Sequence, residues 1–119
     1  MTSHQNKGKH LIIDAVINDK DKLTDLDLAR KALDRMVEIA EMNVFVPATV
    51  YPLNGNEITG FIVLNTSHAT IDTWPDSNFL AIDMYSCRDF DEDMVTLELK
   101  NLYGWDKVEI KSFYRGTLL

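Results

Sequence analysis

Apolar and polar positions follow two periods along the chain, and these periods separate strands from helices. The apolar, β-branched run His10–Ile17 ends at the polar cluster Asn18–Asp21, which predicts a strand and then a turn. Behind it, Thr24 is the expected N-cap of a helix, with Asp27 three residues further on. The apolar face of that helix recurs at helical spacing, at Ala29, Ala32, Leu33, Met36, Val37 and Ala40.

The middle of the chain predicts four more strands, at 44–51, 58–65, 69–73 and 79–86. Asn54-Gly55-Asn56 has strong turn chemistry and joins the first two of these strands as a hairpin. Pro75 lies between the last two and closes the strand that precedes it.

The last third of the chain predicts a helix and a final strand. Acidic residues at 89–93 favour a helix N-terminus, and Met94, Leu97, Leu102 and Tyr103 follow a rough helical spacing that ends at Gly104. Val108–Tyr114 reads as the last strand. The order β-α-β-β-β-β-α-β predicts an α+β fold, a two-layer sandwich in which both helices pack on one face of an antiparallel sheet.

Composition narrows the class of protein. A chain of 119 residues with 45% apolar residues supports one domain over residues 1–119. Its formal charge of −7 argues against nucleic-acid and anionic-membrane partners, which favour clustered Lys and Arg. The apolar runs are far shorter than the ~18 to 20 residues of a membrane span. Because the polar segment Met1–Lys9 lacks the apolar stretch of a secretory signal, we expect a cytoplasmic protein.

The single cysteine, Cys87, has no intrachain partner for a disulfide. It is either a small buried apolar residue or a chemically useful thiol. The acidic run at 89–93 lacks the spacing of a calcium loop, and one cysteine is too few for a recognisable zinc motif. We therefore predict no metal site.

A set of short motifs carries the clearest functional signal. The chain reads Thr66-Ser67-His68, then Asp72-Thr73-Trp74-Pro75-Asp76, and later Ser86-Cys87. This pattern resembles the small prokaryotic S-adenosylmethionine decarboxylases, in which Glu-Ser-His is followed by His-Thr-Trp-Pro-Glu and then by Thr-Cys at a fixed distance. The resemblance extends over nearly the whole chain, through Gly8–Leu11, Ile58–Gly60 and Arg115-Gly116.

The resemblance implies an enzyme that makes a pyruvoyl cofactor from its own Ser67. Ser67 Oγ would attack the carbonyl of Thr66 to give an ester, and elimination and hydrolysis would then cut the chain between them. Decarboxylation of an α-amino acid leaves a carbanion, and a ketone that forms a Schiff base with the substrate amine supplies the electron sink. The product would provide aminopropyl groups for spermidine synthesis.

Further site residues follow from the same resemblance. Cys87 would reprotonate the substrate carbon, because a thiol with a pKa of ~8.5 is protonated near neutrality and can still donate. Thr59 stands where the family has a serine that assists self-processing, and its hydroxyl can make the same hydrogen bond. Asp76 stands where a glutamate binds the ribose hydroxyls.

Several positions depart from the family pattern. Asp72 replaces the histidine base of self-processing, and a carboxylate with a pKa of ~3.9 is a weaker base than imidazole at ~6.5. Thr66 replaces a glutamate. Leu53 stands where an aromatic ring would stack on adenine, a space that Tyr51 could fill. His68 follows the processing serine and could replace the base, but adjacent strand residues point to opposite faces.

Three functions stay open at this point. The leading interpretation is pyruvoyl-dependent decarboxylation of S-adenosylmethionine. A second retains the cofactor but takes a basic amino acid such as ornithine or arginine, because the adenine platform is altered. A third is a regulatory or ligand-binding paralogue that does not cut itself. The resemblance also implies a homodimer with sites built between its subunits.

Overall fold

A computed structural model describes residues 7–119, so predictions that concern residues 1–6 lie outside it. The described chain confirms the predicted α+β sandwich, with an antiparallel sheet and helices on one side. No helix in this part of the chain is long and apolar enough to span a bilayer. The elements are β1 Gly8–Val16, α1 Lys20–Leu23, α2 Leu26–Ala40, β2 Val44–Pro52, β3 Ile58–Leu64, β4 Ser67–Trp74, β5 Phe79–Ser86, α3 Glu92–Tyr103 and β6 Lys107–Arg115.

The sheet has the order β2-β3-β4-β5-β1-β6, and all neighbouring strands are antiparallel. Strands β2 to β5 follow one another as a meander. The first strand, β1, is inserted between β5 and the last strand, β6. Segments from both halves of the chain therefore alternate across the sheet.

The two faces of the sheet differ because side chains alternate along each strand. One face is covered by the helices and forms the core, with residues such as Leu11, Ile71 and Ile82 fully buried. The other face has no helix over it among residues 7–119 and is called the open face below. In β4 the open face carries His68, Thr70, Asp72 and Trp74, which alternate with buried residues.

The start of the long helix differs from the prediction. Asp25, not Thr24, is the N-cap of α2, and its Oδ1 accepts a hydrogen bond from the Leu28 N–H at 3.0 Å. Thr24 instead ends the short helix α1, which the sequence pattern did not predict, and its hydroxyl donates to the Asp21 carbonyl. The predicted turn at Asn18–Asp21 overlaps the start of α1, which has a single buried residue, Leu23, and therefore shows no apolar period in the sequence.

The buried face of α3 was predicted correctly at Tyr103 but wrongly at two other residues. Met94 and Leu97 are 41% and 52% exposed. The buried stripe consists of Val95, Leu99 and Tyr103, spaced four residues apart. The predicted start and end of the helix are confirmed, since Asp91 caps the N-terminus and Gly104 the C-terminus.

Candidate active site

The predicted cleavage point lies in the tight turn between β3 and β4. Leu64 and Ser67 are register partners, so Asn65 and Thr66 alone form the turn, and both are exposed. Ser67 is the first residue of β4, which begins two residues earlier than predicted. Thr66 has φ 53°, a left-handed conformation that costs a β-branched residue roughly 1–2 kcal/mol. A strained residue therefore precedes the bond to be cut.

Ser67 and Cys87 meet at this end of the sheet. Ser67 is only 4% exposed, and its Oγ accepts a hydrogen bond from the Cys87 backbone N–H at 2.8 Å. The contact follows from strand register, because His68 lies opposite Tyr85 and the start of β4 therefore meets the end of β5. The structure thus brings together the predicted pyruvoyl precursor and the predicted proton donor.

The Cys87 thiol lies at the edge of the core and is partly exposed. Its Sγ is 3.8 Å from the Asn65 carbonyl oxygen. Hydrogen bonds with the side chains of Thr66 and then Ser67 lower the pKa of Cys87 from 9.0, and the charge of Arg88 adds to this, while burial opposes it. The thiol is consequently a stronger acid than a free cysteine.

A cleft of about 170 Å³ opens beside this thiol, lined by Glu41, Met42, Asn43, Asn65, Cys87 and Arg88. Arg88 Nη2 donates to the Glu41 carbonyl oxygen at 2.6 Å and so ties one wall to the end of α2. Sequence reasoning missed Asn65 and Arg88 as site residues. Their only sequence signal is adjacency, since Asn65 precedes the predicted cleavage pair and Arg88 follows the cysteine.

A second group of predicted residues forms a row across the open face. Tyr51 is the register partner of Thr59, and Thr59 is the register partner of Asp72. Directly opposed residues have side chains roughly 5 Å apart on the same face. The predicted processing hydroxyl, the predicted base and a candidate adenine platform are therefore neighbours.

Two further predicted residues lie at the end of the sheet near this row. Leu53 follows the last residue of β2 and is half-exposed. Asp76 lies in the short 3-10 helix Pro75–Ser77 that follows β4, and it is exposed. Both side chains are accessible to a ligand that approaches this end of the sheet.

The two groups are far apart within one chain. Asp72 is five residues from Ser67 along β4, which corresponds to roughly 17 Å at ~3.3 Å per residue. The two side chains also lie on opposite faces. His68 is on the open face too, with its ring 5.7 Å from that of Tyr85, so it points away from the Ser67 side chain. One chain by itself brings neither predicted base to the serine.

Comparison with known proteins finds matches along nearly the whole chain. Residues 9–116 match the family described as S-adenosylmethionine decarboxylase. An S-adenosylmethionine decarboxylase proenzyme of Clostridium botulinum (strain Loch Maree / Type A3) is 28% identical over 93% of this chain and 96% of its own. One from Methanococcus vannielii is 31% identical over 93% and 91%. The crystal structure of the adenosylmethionine decarboxylase from Aquifex aeolicus superposes with a TM-score of 0.80 at 22% identity, covering 94% of this chain and 92% of that one.

Proposed function

Because the chain belongs to the S-adenosylmethionine decarboxylase family, we propose that it is a proenzyme that cuts itself between Thr66 and Ser67 and then decarboxylates S-adenosylmethionine. The observation that carries this proposal is the contact of Ser67 Oγ with the Cys87 N–H at 2.8 Å, directly behind the strained Thr66. The decarboxylated product would serve polyamine synthesis. A cytoplasmic location stays a prediction of the sequence.

The cutting reaction begins at Ser67. Its Oγ forms a bond to the Thr66 carbonyl carbon while the peptide C–N bond breaks, which gives an ester and a free Ser67 amine. Elimination then removes the Ser67 Cα proton and breaks the Cβ–Oγ bond, which releases the Thr66 carboxylate. Water finally replaces the nitrogen, which leaves as ammonia, and a pyruvoyl group remains at residue 67. Exposure of the turn supports this route, since water can reach the bond.

The residues around Ser67 suit a pyruvoyl group at the start of β4. When formed, its ketone supplies the electron sink that decarboxylation needs. Cys87 is fixed beside residue 67 by its backbone, and its acidified thiol can deliver a proton to the substrate carbon. Arg88 lines the adjoining cleft together with Cys87 and is held there by its hydrogen bond to the Glu41 carbonyl oxygen.

Cutting after Thr66 would not release either fragment from the sheet. Fragment 1–66 would contain β1, β2 and β3, and fragment 67–119 would contain β4, β5 and β6. Since β1 is hydrogen-bonded between β5 and β6, the two fragments interleave. We therefore expect them to stay associated without a covalent link.

We propose a homodimer in which each site takes residues from both copies. Asp72 and Thr59 lie roughly 17 Å from Ser67 in their own chain, a distance no side-chain movement can close. Because the Thr66–Ser67 bond lies at an exposed turn at the end of β4, a second copy stacked on the open face would bring the partner's Asp72 and the partner's Thr59 to that turn instead. Partly buried apolar residues on this face, including Ile12, Phe61 and Phe79, would give the contact its apolar area.

The second group of residues supports S-adenosylmethionine as the substrate. Tyr51 is half-exposed beside Thr59 and offers an aromatic ring for adenine in place of Leu53. Asp76 offers two carboxylate oxygens that can accept hydrogen bonds from ribose hydroxyls. The relatives named as S-adenosylmethionine decarboxylase proenzymes also favour this substrate over ornithine or arginine.

Intact mass after purification and long incubation tests the proposal. We expect two fragments that meet at Thr66 and Ser67, the second with a borohydride-reducible ketone, and release of CO₂ from carboxyl-labelled S-adenosylmethionine. A single uncut chain of 13.6 kDa would overturn self-cleavage and favour the non-catalytic paralogue. Self-cleavage without CO₂ release from S-adenosylmethionine, but with decarboxylation of ornithine or arginine, would overturn S-adenosylmethionine as the substrate and leave self-cleavage standing.

A further inference from the structure

The two edges of the sheet are built differently. Edge strand β2 contains Pro47 and Pro52, and its pairing with β3 shifts register twice, features that discourage pairing with another chain. Edge strand β6 has no proline and pairs with β1 over nine residues without a shift. It therefore presents a long, regular row of backbone donors and acceptors.

Both faces of β6 are also uncovered. Each of its nine residues is exposed, and apart from β1 no element of residues 7–119 makes an extensive contact with it. Val108 and Ile110 are 40% and 39% exposed on the side of the sheet that carries the helices, while Phe113 is exposed on the open face. Two aliphatic residues next to a free edge leave an apolar strip that a neighbouring strand would cover.

Charges on β6 fit a second copy of the same strand. Glu109 and Lys111 are the sequence neighbours of Ile110, and their side chains lie on the open face. Within residues 7–119 neither makes an ion pair with its own chain. Glu109 instead lies directly opposite Asp14 of β1, a like-charge pair that is unfavourable. A cation brought to the edge beside Glu109 would relieve this repulsion.

We propose that β6 pairs antiparallel with β6 of a second copy, with Ile110 opposite the partner's Ile110. This register places Glu109 opposite the partner's Lys111, and Lys111 opposite the partner's Glu109, in two symmetric ion pairs. Val108 then lies beside the partner's Ser112, and the two apolar strips join. The sheet continues from one chain into the other through backbone hydrogen bonds.

Neighbouring symmetric registers are less favourable. A pairing centred on Lys111 would bring two lysines together, and one centred on Glu109 would bring two glutamates together. Among the pairings centred on Glu109, Ile110 and Lys111, only the one centred on Ile110 sets charges of opposite sign against each other. This edge contact uses neither face of the sheet, so it is independent of the proposed catalytic dimer and can coexist with it.

Charge exchange between the two positions tests the register. We expect the single variants Glu109→Lys and Lys111→Glu to raise the dissociation constant of the edge contact by roughly tenfold, and the double variant to return it to near the native value. Sedimentation velocity over a dilution series measures this. Because Glu109→Lys removes the repulsion with Asp14, its thermal midpoint should hold or rise while association weakens. Single variants that associate like the native protein, or a double variant that does not recover, would overturn the proposal.

Disulfide trapping gives a second measurement of the same contact. In chains whose native Cys87 is replaced by serine, Ile110→Cys should form a covalent dimer under mild oxidation. Ser112→Cys should not form one. In this register Ser112 lies opposite the partner's Val108, so the two cysteines at 112 would be four residues apart along the paired strands, too far for a disulfide. Equal trapping at both positions, or none at 110, would contradict the pairing.

Two matched substitutions, one on each edge strand, distinguish the β6 contact from the proposed catalytic dimer. Ile110→Lys should halve the mass of the native particle, while Val44→Lys, on the opposite edge but also on the helix side of the sheet (47% exposed against 39%), should leave it unchanged. Self-cleavage should proceed in both variants, since neither residue lies in the proposed site. An Ile110→Lys variant of native mass would overturn the edge pairing without touching the proposed function. A native protein that is monomeric would overturn both the edge pairing and the proposed catalytic dimer.

Discussion

The Cys87 backbone N–H donates to Ser67 Oγ at 2.8 Å, across 20 residues of sequence. The bond joins the start of β4 to the end of β5 and fixes the hydroxyl before any cutting takes place. It also satisfies a partly buried backbone donor. The same hydrogen bond therefore positions the proposed nucleophile and stabilises the junction of β4 and β5.

Replacement of Ser67 by alanine should abolish cutting and weaken the uncut fold. The Cys87 N–H then loses its acceptor, and an unpaired buried donor costs about 1–3 kcal/mol. Intact mass and urea unfolding report the two effects. Ser86→Ala, at a neighbouring buried serine, is the matched control and should still cut. A Ser67→Ala chain that splits between 66 and 67 would exclude Ser67 as the nucleophile.

The Cys87 thiol should react with iodoacetamide at lower pH than a free cysteine. Its pKa lies below 9.0, mainly because of the Thr66 side chain, so the thiolate forms earlier as the pH rises. Alkylation rates between pH 6 and 10 on the uncut Asp72→Ala protein give the midpoint. Thr66→Val should raise this midpoint, because it removes the largest of the causes. A midpoint at or above that of a free cysteine in the same assay would contradict the site geometry.

Two defective chains should restore cutting when they share a dimer. Ser67→Ala and Asp72→Ala should each remain uncut alone, since each lacks one half of the composite site. Co-expression should produce hybrids in which the Asp72→Ala chain is cut and the Ser67→Ala chain is not, as tagged fragments on a gel would reveal. Thr70→Ala, another polar change on the open face of β4, should cut without help. Failure of the hybrids to cut would exclude a base donated by the partner.

Removal of the Tyr103 hydroxyl should stabilise the protein. Tyr103 is 1% exposed, and its Oη is the one buried side-chain polar atom within residues 7–119 that lacks a hydrogen-bond partner. Tyr103→Phe should raise the free energy of unfolding by about 1 kcal/mol, since the buried oxygen no longer needs desolvation. Urea unfolding of the uncut Ser67→Ala chain measures this. Tyr114→Phe, which loses only an exposed 3.3 Å hydrogen bond to Asp89, should leave the free energy of unfolding nearly unchanged. A loss of stability in Tyr103→Phe would show that the Tyr103 hydroxyl has a hydrogen-bond partner and would contradict this prediction.

Local sequence chemistry was sufficient for most of the elements. The 3.6-residue period of α2, the turn at Asn54-Gly55-Asn56 and the stop at Gly104 all act through neighbouring residues, and each prediction is confirmed. Errors arose where local signals were weak or competed. Thr24 and Asp25 are both good caps, and α1 has too few turns to show a period.

The sequence by itself determined every element except α1, the α+β class and the identity of the candidate chemical groups, because propensities and motifs depend on residues close together in the chain. Only the tertiary structure decided that β1 lies between β5 and β6, that Ser67 meets Cys87, and that Asp72 lies on the opposite face from Ser67. Strand order and register depend on pairings between residues far apart in sequence, and these are selected by burial of one shared core. The face on which a side chain lies follows from that register, so the separation of the two half-sites became visible only in the folded chain.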